Sequence, residues 1–531
     1  MHGGGGHADE HVGVEELRVV EPRARVPELL RALHDLPRVR RRREIDPEVH
    51  GEIMPYPESI VGFGLRLAHL PVLVPYFCYG ASAITAVAQV FFEKNALALT
   101  PADAASIAFW LGLPWSMKMV AGVASDAWPI AGSRRGAYLL LGSASTLGGT
   151  LLMATVVGHR DTYLLAMVLI TVGFMIQDVV ADALSVEVAR DDREIAQLQT
   201  WGRIALLTGG ISVSYLGGIL AERIGARGTF AVSALLPILA AASAAFIRVR
   251  EDAPRRVSAA PSRRNQLILA GGVAYALLGI ALRASGAPFA EEMVLVVSAV
   301  VLGVLLRWIG LSRGILIAAV AIFVFRATPA VGQGYSFWAI DRLGFDERFL
   351  GLLGQISAVL SVAGLLVFKK TISTRPVSFT LFWITVAGAI LYLPSIGLFY
   401  GAHEWLGVSA RTFAVIDTTI SAPLAQLAMV PMLILIARSA QPGAEATTFA
   451  IMASLMNLAL STSQLFTRYL NGGFAVTQAD YSNLGRLMIT VGLIGLVPLL
   501  MLPTLRRAER SAGPAPQAAE PLAAARGNPA P

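Results

Sequence analysis

The chain has 531 residues, of which 55% are hydrophobic and 15% charged, and its formal net charge is +7. Soluble domains carry about 25% charged residues, so the composition excludes an ordinary water-soluble globule and points to lipid as the solvent for most of the chain. The basic excess does not indicate nucleic-acid binding, because the arginines sit between or outside apolar stretches and no basic helix or aromatic platform accompanies them.

Residues 1–68 are too polar and too long for a signal peptide. They are expected to form a cytoplasmic tail, partly disordered, with a basic run from Arg38 to Arg43 flanking the membrane. Apolar segments follow at 69–92, 103–124, 137–158, 162–185, 200–220 and 229–247, then at 266–285 and 288–306. Six more lie at 314–338, 348–368, 377–400, 411–437, 445–470 and 485–504. Each holds about 20 residues, enough for a helix to cross about 30 Å of hydrocarbon. The expectation is an all-α polytopic membrane protein of about fourteen crossings, with a second polar tail at 505–531.

Lys and Arg set the orientation. With the N-terminus inside, the cytoplasmic loops between segments hold 16 basic residues and the outside loops five, namely Lys94, Arg160, Arg223, Arg227 and Arg342. This asymmetry places both termini in the cytoplasm, for a protein of the cell inner membrane. The segments group as six, two and six. A linker with Pro and Arg (RVREDAPRRVSAAPSRRN) opens the stretch 248–313, which carries the inserted pair. Six-helix bundles at 69–247 and 314–504 around a midplane site are the arrangement of major facilitator transporters. The inserted pair is expected outside the bundles and dispensable to them, with Glu291 and Glu292 near its outer end.

Cys78 is the one cysteine, so no intramolecular disulfide or cysteine metal cluster can form. Most of the eight histidines fall in the first 69 residues, and none pairs at metal-ligand spacing inside an apolar segment. No metal and no cofactor are expected, nor any enzymatic activity, since no nucleophile–base pair or phosphate loop has the required context.

A charge deep in a membrane costs about 2.5–3.5 kcal/mol on insertion scales, so intramembrane charges are the first functional candidates. They are Lys118, Asp178, Asp182, Arg203, Arg326 and Asp417. Lys118 and Asp178 lie at matched depths in segments that run the same way, and Asp182 shares a helix face with Asp178. With Arg203 near the inner surface, these four charges balance as a locking network or a proton and gating relay. Arg326 lies near the midplane with no acid in its own helix. Asp417 is its candidate partner, and an anionic substrate is the alternative, which a guanidinium can hold through two hydrogen bonds. Gln333 with Arg326 and Asp417, and Tyr79 with Gln89 in the first segment, complete the candidate substrate-binding set. Pro329, Gly332 and Gly334 predict a kinked or broken helix. The loop GVASDAWPIAGSRRG brings Asp126, Arg134 and Arg135 into a charged cytoplasmic turn, a candidate latch for an inward gate.

Four stretches resemble the folate-biopterin transporters, a branch of the major facilitator superfamily: LPWSMKMVAGVASDAWPIAGSRRGAYLLLG (113–142), DVVADALSVEVARDDREIAQLQTWGRIALLTGG (178–210), ATPAVGQGYSFWAIDRLGFDERFLG (327–351) and PGAEATTFAIMASLMNLALSTSQLF (442–466). By this resemblance Lys118, Asp126, Asp178, Asp182, Glu187 and Arg203 stand where the family usually has the same charge. Arg326 and the inserted pair depart from it. The resemblance implies a monomeric secondary transporter that moves a folate, pterin or similar organic anion together with protons across the lipid bilayer. Export of an unrelated amphipathic compound, or a non-transporting scaffold or pigment-assembly factor of the same fold, stays open.

Overall fold

A computed structural model of the protein describes residues 65–247, 263–308, 310, 312–439 and 445–511. The N-terminal tail, most of the 248–265 linker and nearly all of the C-terminal tail lie outside the described residues. Helices α1 (Leu67–Ala96), α2 (Pro101–Ala127), α3 (Gly136–Thr155) and α4 (Arg160–Glu187) come first. A run from Arg193 to Phe246 follows, 54 residues long. At about 1.5 Å per residue it would reach about 80 Å, more than twice the hydrocarbon thickness. It is two crossings joined at Gly225, whose φ of 70° only glycine adopts freely, so residues 193–224 are α5 and 226–246 are α6. The inserted pair is α7 (Arg263–Ala284) and α8 (Ala290–Trp308).

The next crossing is split into α9 (Arg313–Arg326) and α10 (Gln333–Leu343). Then come α11 (Glu347–Thr374), α12 (Val377–Phe399), α13 (Ala410–Ser439), α14 (Glu445–Gly473) and α15 (Leu484–Arg510). Among the described residues, eleven runs are long and apolar enough to cross a membrane unaided. The expected count near fourteen is reached because one run crosses twice, the α9–α10 crossing is broken, and α8 carries Glu291, Glu292 and Arg307 at its ends.

The starts of several helices are written locally. Thr100 caps α2 by accepting from the Asp103 amide, and Asp191, Ser312, Asp346 and Ser409 cap α5, α9, α11 and α13 in the same way. Glycines then set how closely helices approach. A Cβ at Gly173 of α4 would lie 2.5 Å from the Gly142 carbonyl oxygen of α3, and one at Gly209 of α5 would lie 2.3 Å from the Phe77 carbonyl oxygen of α1. Helices α2 and α14 meet where Gly112 faces Ser461, and α5 meets α11 where Gly218 faces Gly351.

The inserted pair departs in part from expectation. Helix α7 does lie outside, with Leu267, Val273, Leu277 and Ile280 exposed as a lipid-facing surface. Helix α8 is bonded into the molecule. Its buried Glu291 accepts hydrogen bonds from Ser106 and Trp110 of α2 and is ion-paired at 2.9 Å with Arg468 of α14. Glu291 thus sits in the first turn of α8 and joins α2 to α14. The expectation of a dispensable pair missed this, because a sequence does not show which crossings face each other.

Candidate functional site

Three groups of polar residues occupy the membrane-spanning region. The first lies toward the loop between α2 and α3, here called the proximal face. Pro114 removes one helical hydrogen bond from α2, and the backbone leaves helical geometry at Met117, where φ is −108° and ψ is 17°. Lys118 follows this break. Its ammonium is ion-paired with Asp178 and lies 3.3 Å from Asp182, both on α4, and Tyr76 of α1 donates to Asp182. Tyr79 stacks on Trp115 at 5.4 Å and meets Phe174 at a tilt at 5.2 Å, and Lys118 stands 6.0 Å from the Trp115 ring.

The expected four-charge network is corrected at Arg203. It is exposed, makes no ion pair among the described residues, and reaches Met429 of α13 at 3.7 Å. Arg203 reaches α13 and acts on Asp178 at longer range, without an ion pair. Below this network, Arg135 is held by Asp126 and Glu187, each at 2.6 Å, and by Ser125 at 2.7 Å. Arg134 is exposed at the bend beside it.

The second group surrounds the break between α9 and α10. Gly332 takes φ 66° and ψ −149°, which ends any continuous helix across 327–332. The freed backbone groups are satisfied from α14: Ser463 donates to the Thr328 carbonyl, Ala330 N–H donates to Thr467, and Asn471 donates to the Val331 carbonyl. Arg326 stands at the C-terminus of α9, where the helix dipole favours a cation. It is half-buried, its Nε is enclosed without a hydrogen-bond partner, and it has no ion pair among the described residues. The candidate pair with Asp417 is therefore not formed. Asp417 accepts instead from Ser395 of α12 at 2.8 Å.

The third group lies toward the opposite, distal face and was missed in the sequence. The first apolar segment was expected to end at 92, with Lys94 in an outside loop. The helix instead continues through a π-helical turn, Phe92–Ala96, with Glu93 and Lys94 buried. Lys94 is ion-paired with Asp341 of α10 at 2.6 Å. Glu93 accepts from Tyr163 of α4 at 2.6 Å and from Gln89 at 3.0 Å. It opens on a cavity of about 290 Å³ that Gln89, Gln333 and Gln464 also line. Gln89 and Gln333, from the candidate substrate set, thus share one cavity, whereas Tyr79 belongs to the aromatic cluster beside Lys118. The available signal was the run FFEKN, in which a Glu–Lys pair directly ends an apolar helix.

The BT1 family profile matches residues 80–514. The chain belongs to the BT1 family. The chain is 29% identical to the "Folate-biopterin transporter" of Synechocystis sp. over 438 residues, 82% of this chain and 80% of that one. It is 22% identical to "Folate transporter 2" of Plasmodium falciparum, over 88% of this chain and 95% of that one. Among solved structures, a POT family transporter in complex with 5-aminolevulinic acid superposes with a TM-score of 0.64 at 14% identity, covering 86% of this chain and 98% of that one. A D-xylose-proton symporter superposes at 0.54 with 13% identity, covering 82% and 95%. At these identities the superpositions establish the fold, which is the major facilitator type expected from the sequence. This BT1-family chain is a multi-pass membrane transporter of a small molecule and not an enzyme.

Proposed function

We propose that the chain moves a folate, a pterin or a related aromatic organic anion across a bacterial-type inner membrane, as a monomer, coupled to protons, with its proximal face and both termini in the cytoplasm. The relatives named for folate and biopterin support the substrate class. The observation that carries the reading is Arg326, a guanidinium within the membrane, at the end of a broken crossing, with no acidic partner among the described residues. Such a charge is costly unless an anion or water meets it, and a carboxylate supplies two parallel acceptors.

In this reading Gln333 and Gln89 contact the neutral, hydrogen-bonding part of the cargo, and Tyr79 and Asp417 border its path. Lys118 with Asp178 and Asp182, Arg203 opposite Met429, and the turn of Asp126, Arg134 and Arg135 act in gating at the cytoplasmic face. The test is substrate affinity in purified Arg326→Gln and Arg326→Lys, with folate, a pterin and other organic anions as probes. A charged hydrogen bond contributes about 1.5–3 kcal/mol, so Arg326→Gln is expected to weaken binding roughly ten- to hundredfold, and Arg326→Lys by less. Unchanged affinity in folded Arg326→Gln removes the anchor role. Absence of binding and transport of every probe by the wild type favours a scaffold.

A further inference from the structure

Glu93 is the most enclosed acidic side chain of the first bundle, with 3% of its surface exposed. The well-formed hydrogen bonds it accepts, from Tyr163 and Gln89, go to Oε1; Oε2 is buried without one among the described residues, and the Gln333 amide is a further neutral group acting on the carboxyl. Neither donor is a cation. The charged groups around it are already committed: Lys94 to Asp341, which also accepts from Tyr481, and Arg160 of α4 to Asp103 of α2 at 2.6 Å. A carboxylate placed so, with one bare oxygen and no counter-charge, is expensive, whereas a carboxylic acid is not. The π-helical turn is what aims the side chain inward, since such single turns redirect side chains from the regular helical face and recur at functional sites.

We propose that Glu93 binds the coupling proton. This rests on the proton-coupled reading above. Glu93 faces a cavity bounded by α1 and α2 of the first bundle and by Gln333 and Gln464 of the second. The adjacent residue, Lys94, ties α1 to α10 across the distal face. In the structure this pair bridges the two bundles at the distal face. Closure engages Lys94 with Asp341 and seals Glu93 from distal water, and both changes favour the protonated acid. Opening the distal face separates Lys94 from Asp341, admits water and returns a nearby positive charge, so the proton can exchange there. The Lys118–Asp178–Asp182 group differs from Glu93 in that both of its aspartates already have a cation, Lys118, beside them.

The experiment uses full-length protein in proteoliposomes, with labelled folate or pterin as probe. Two fluxes are compared: accumulation driven by a pH gradient, and counterflow at equal pH on both sides. The expected result for Glu93→Gln is at least a tenfold loss of gradient-driven accumulation with a loss of counterflow under threefold. Its counterflow is also expected to lose the pH dependence of the wild type. Tyr163→Phe, which removes one donor to the carboxylate, should move the midpoint of that pH dependence upward. Infrared difference spectra taken across the midpoint should lose a protonated-carboxyl band in Glu93→Gln. Gradient-driven accumulation that survives in Glu93→Gln overturns the proposal. So does an equal loss of both fluxes in folded protein, which makes the residue structural or a cargo contact. A wild type that performs counterflow but never responds to a pH gradient refutes the proton-coupled reading itself, a distinct outcome.

Discussion

Glu291 links an inserted helix to both bundles, and its removal has a calculable effect. In Glu291→Ala three donors lose their acceptor: the Ser106 hydroxyl, the Trp110 indole N–H at 3.2 Å and the Arg468 guanidinium at 2.9 Å. Ser106 can turn to a carbonyl of its own helix at little cost. Trp110 is buried, so its stranded N–H costs about 1–3 kcal/mol. The Arg468 side chain is 39% exposed, which lets water take over much of the charge and limits its share to about 1 kcal/mol. The total is about 2–4 kcal/mol, and it bears on the distal-closed arrangement, in which α2 and α14 lie together at their distal ends. A shift of that size changes the ratio of closed to open forms roughly thirtyfold or more.

The assay is the rate at which an impermeant maleimide labels Ala104→Cys from the distal side, in a Cys78→Ala background. Ala104 lines the distal cavity and is buried in the structure. Glu291→Ala should raise the labelling rate at least tenfold. Glu291→Gln, which keeps one acceptor oxygen but loses the charge, should raise it by less. A labelling rate within twofold of the parent, in protein that is folded and monodisperse, refutes the view that the inserted helix holds the distal face shut.

Two further outcomes are expected. Lys118→Met leaves Asp178, only 14% exposed at its side chain, without its counter-charge. Thermal unfolding in detergent should report a loss of about 2–4 kcal/mol, partly recovered in Lys118→Met with Asp178→Asn, and additive losses would deny the coupling. Asp346 lies outside the spanning segments. Burial raises its carboxyl, but the Phe349 amide and Arg411 outweigh that and hold it below the usual carboxylate value. Its stabilising effect is therefore present above about pH 4 and lost as pH falls through the lowered value. Asp346→Ala should cost about 1 kcal/mol near neutrality, and the gap in melting temperature to wild type should close on acidification, while a gap that persists would place the effect elsewhere.

Much of the architecture was legible because the bilayer imposes a length on every crossing. Most segment ends fell near the helix ends, with the start of α5 the widest miss at 193 against 200, and Pro329 with Gly332 marked the break between α9 and α10. The nearness of Lys118 to Asp178 followed from counting residues to the membrane surface. What counting could not supply was rotation about each helix axis. Arg203 makes no ion pair with the aspartates and Asp417 none with Arg326; their contacts are with Met429 and Ser395. Glu93 and Lys94 were hidden by a different cause. Polar residues at the end of an apolar run look like a loop, and only the partners on α4 and α10 make their burial tolerable.

The bonds that bridge the broken crossing have a mechanical consequence. Ser463, Thr467 and Asn471 are spaced four apart on one stripe of α14, and each serves a backbone group between 328 and 331. A backbone amide or carbonyl has no rotamers and cannot follow a sliding neighbour, so moving α14 by even one turn would strand all three bonds together. Helix α14 and the α9–α10 crossing are thus splinted into a single rigid body. The opposite flank of α14 meets α2 through the close approach of Gly112 to Ser461 and through one bond, from Asn457 to the Trp115 carbonyl at 3.1 Å. Relative motion between the bundles is consequently channelled to that flank, where one such bond must yield instead of three, while the splinted flank works as a strut.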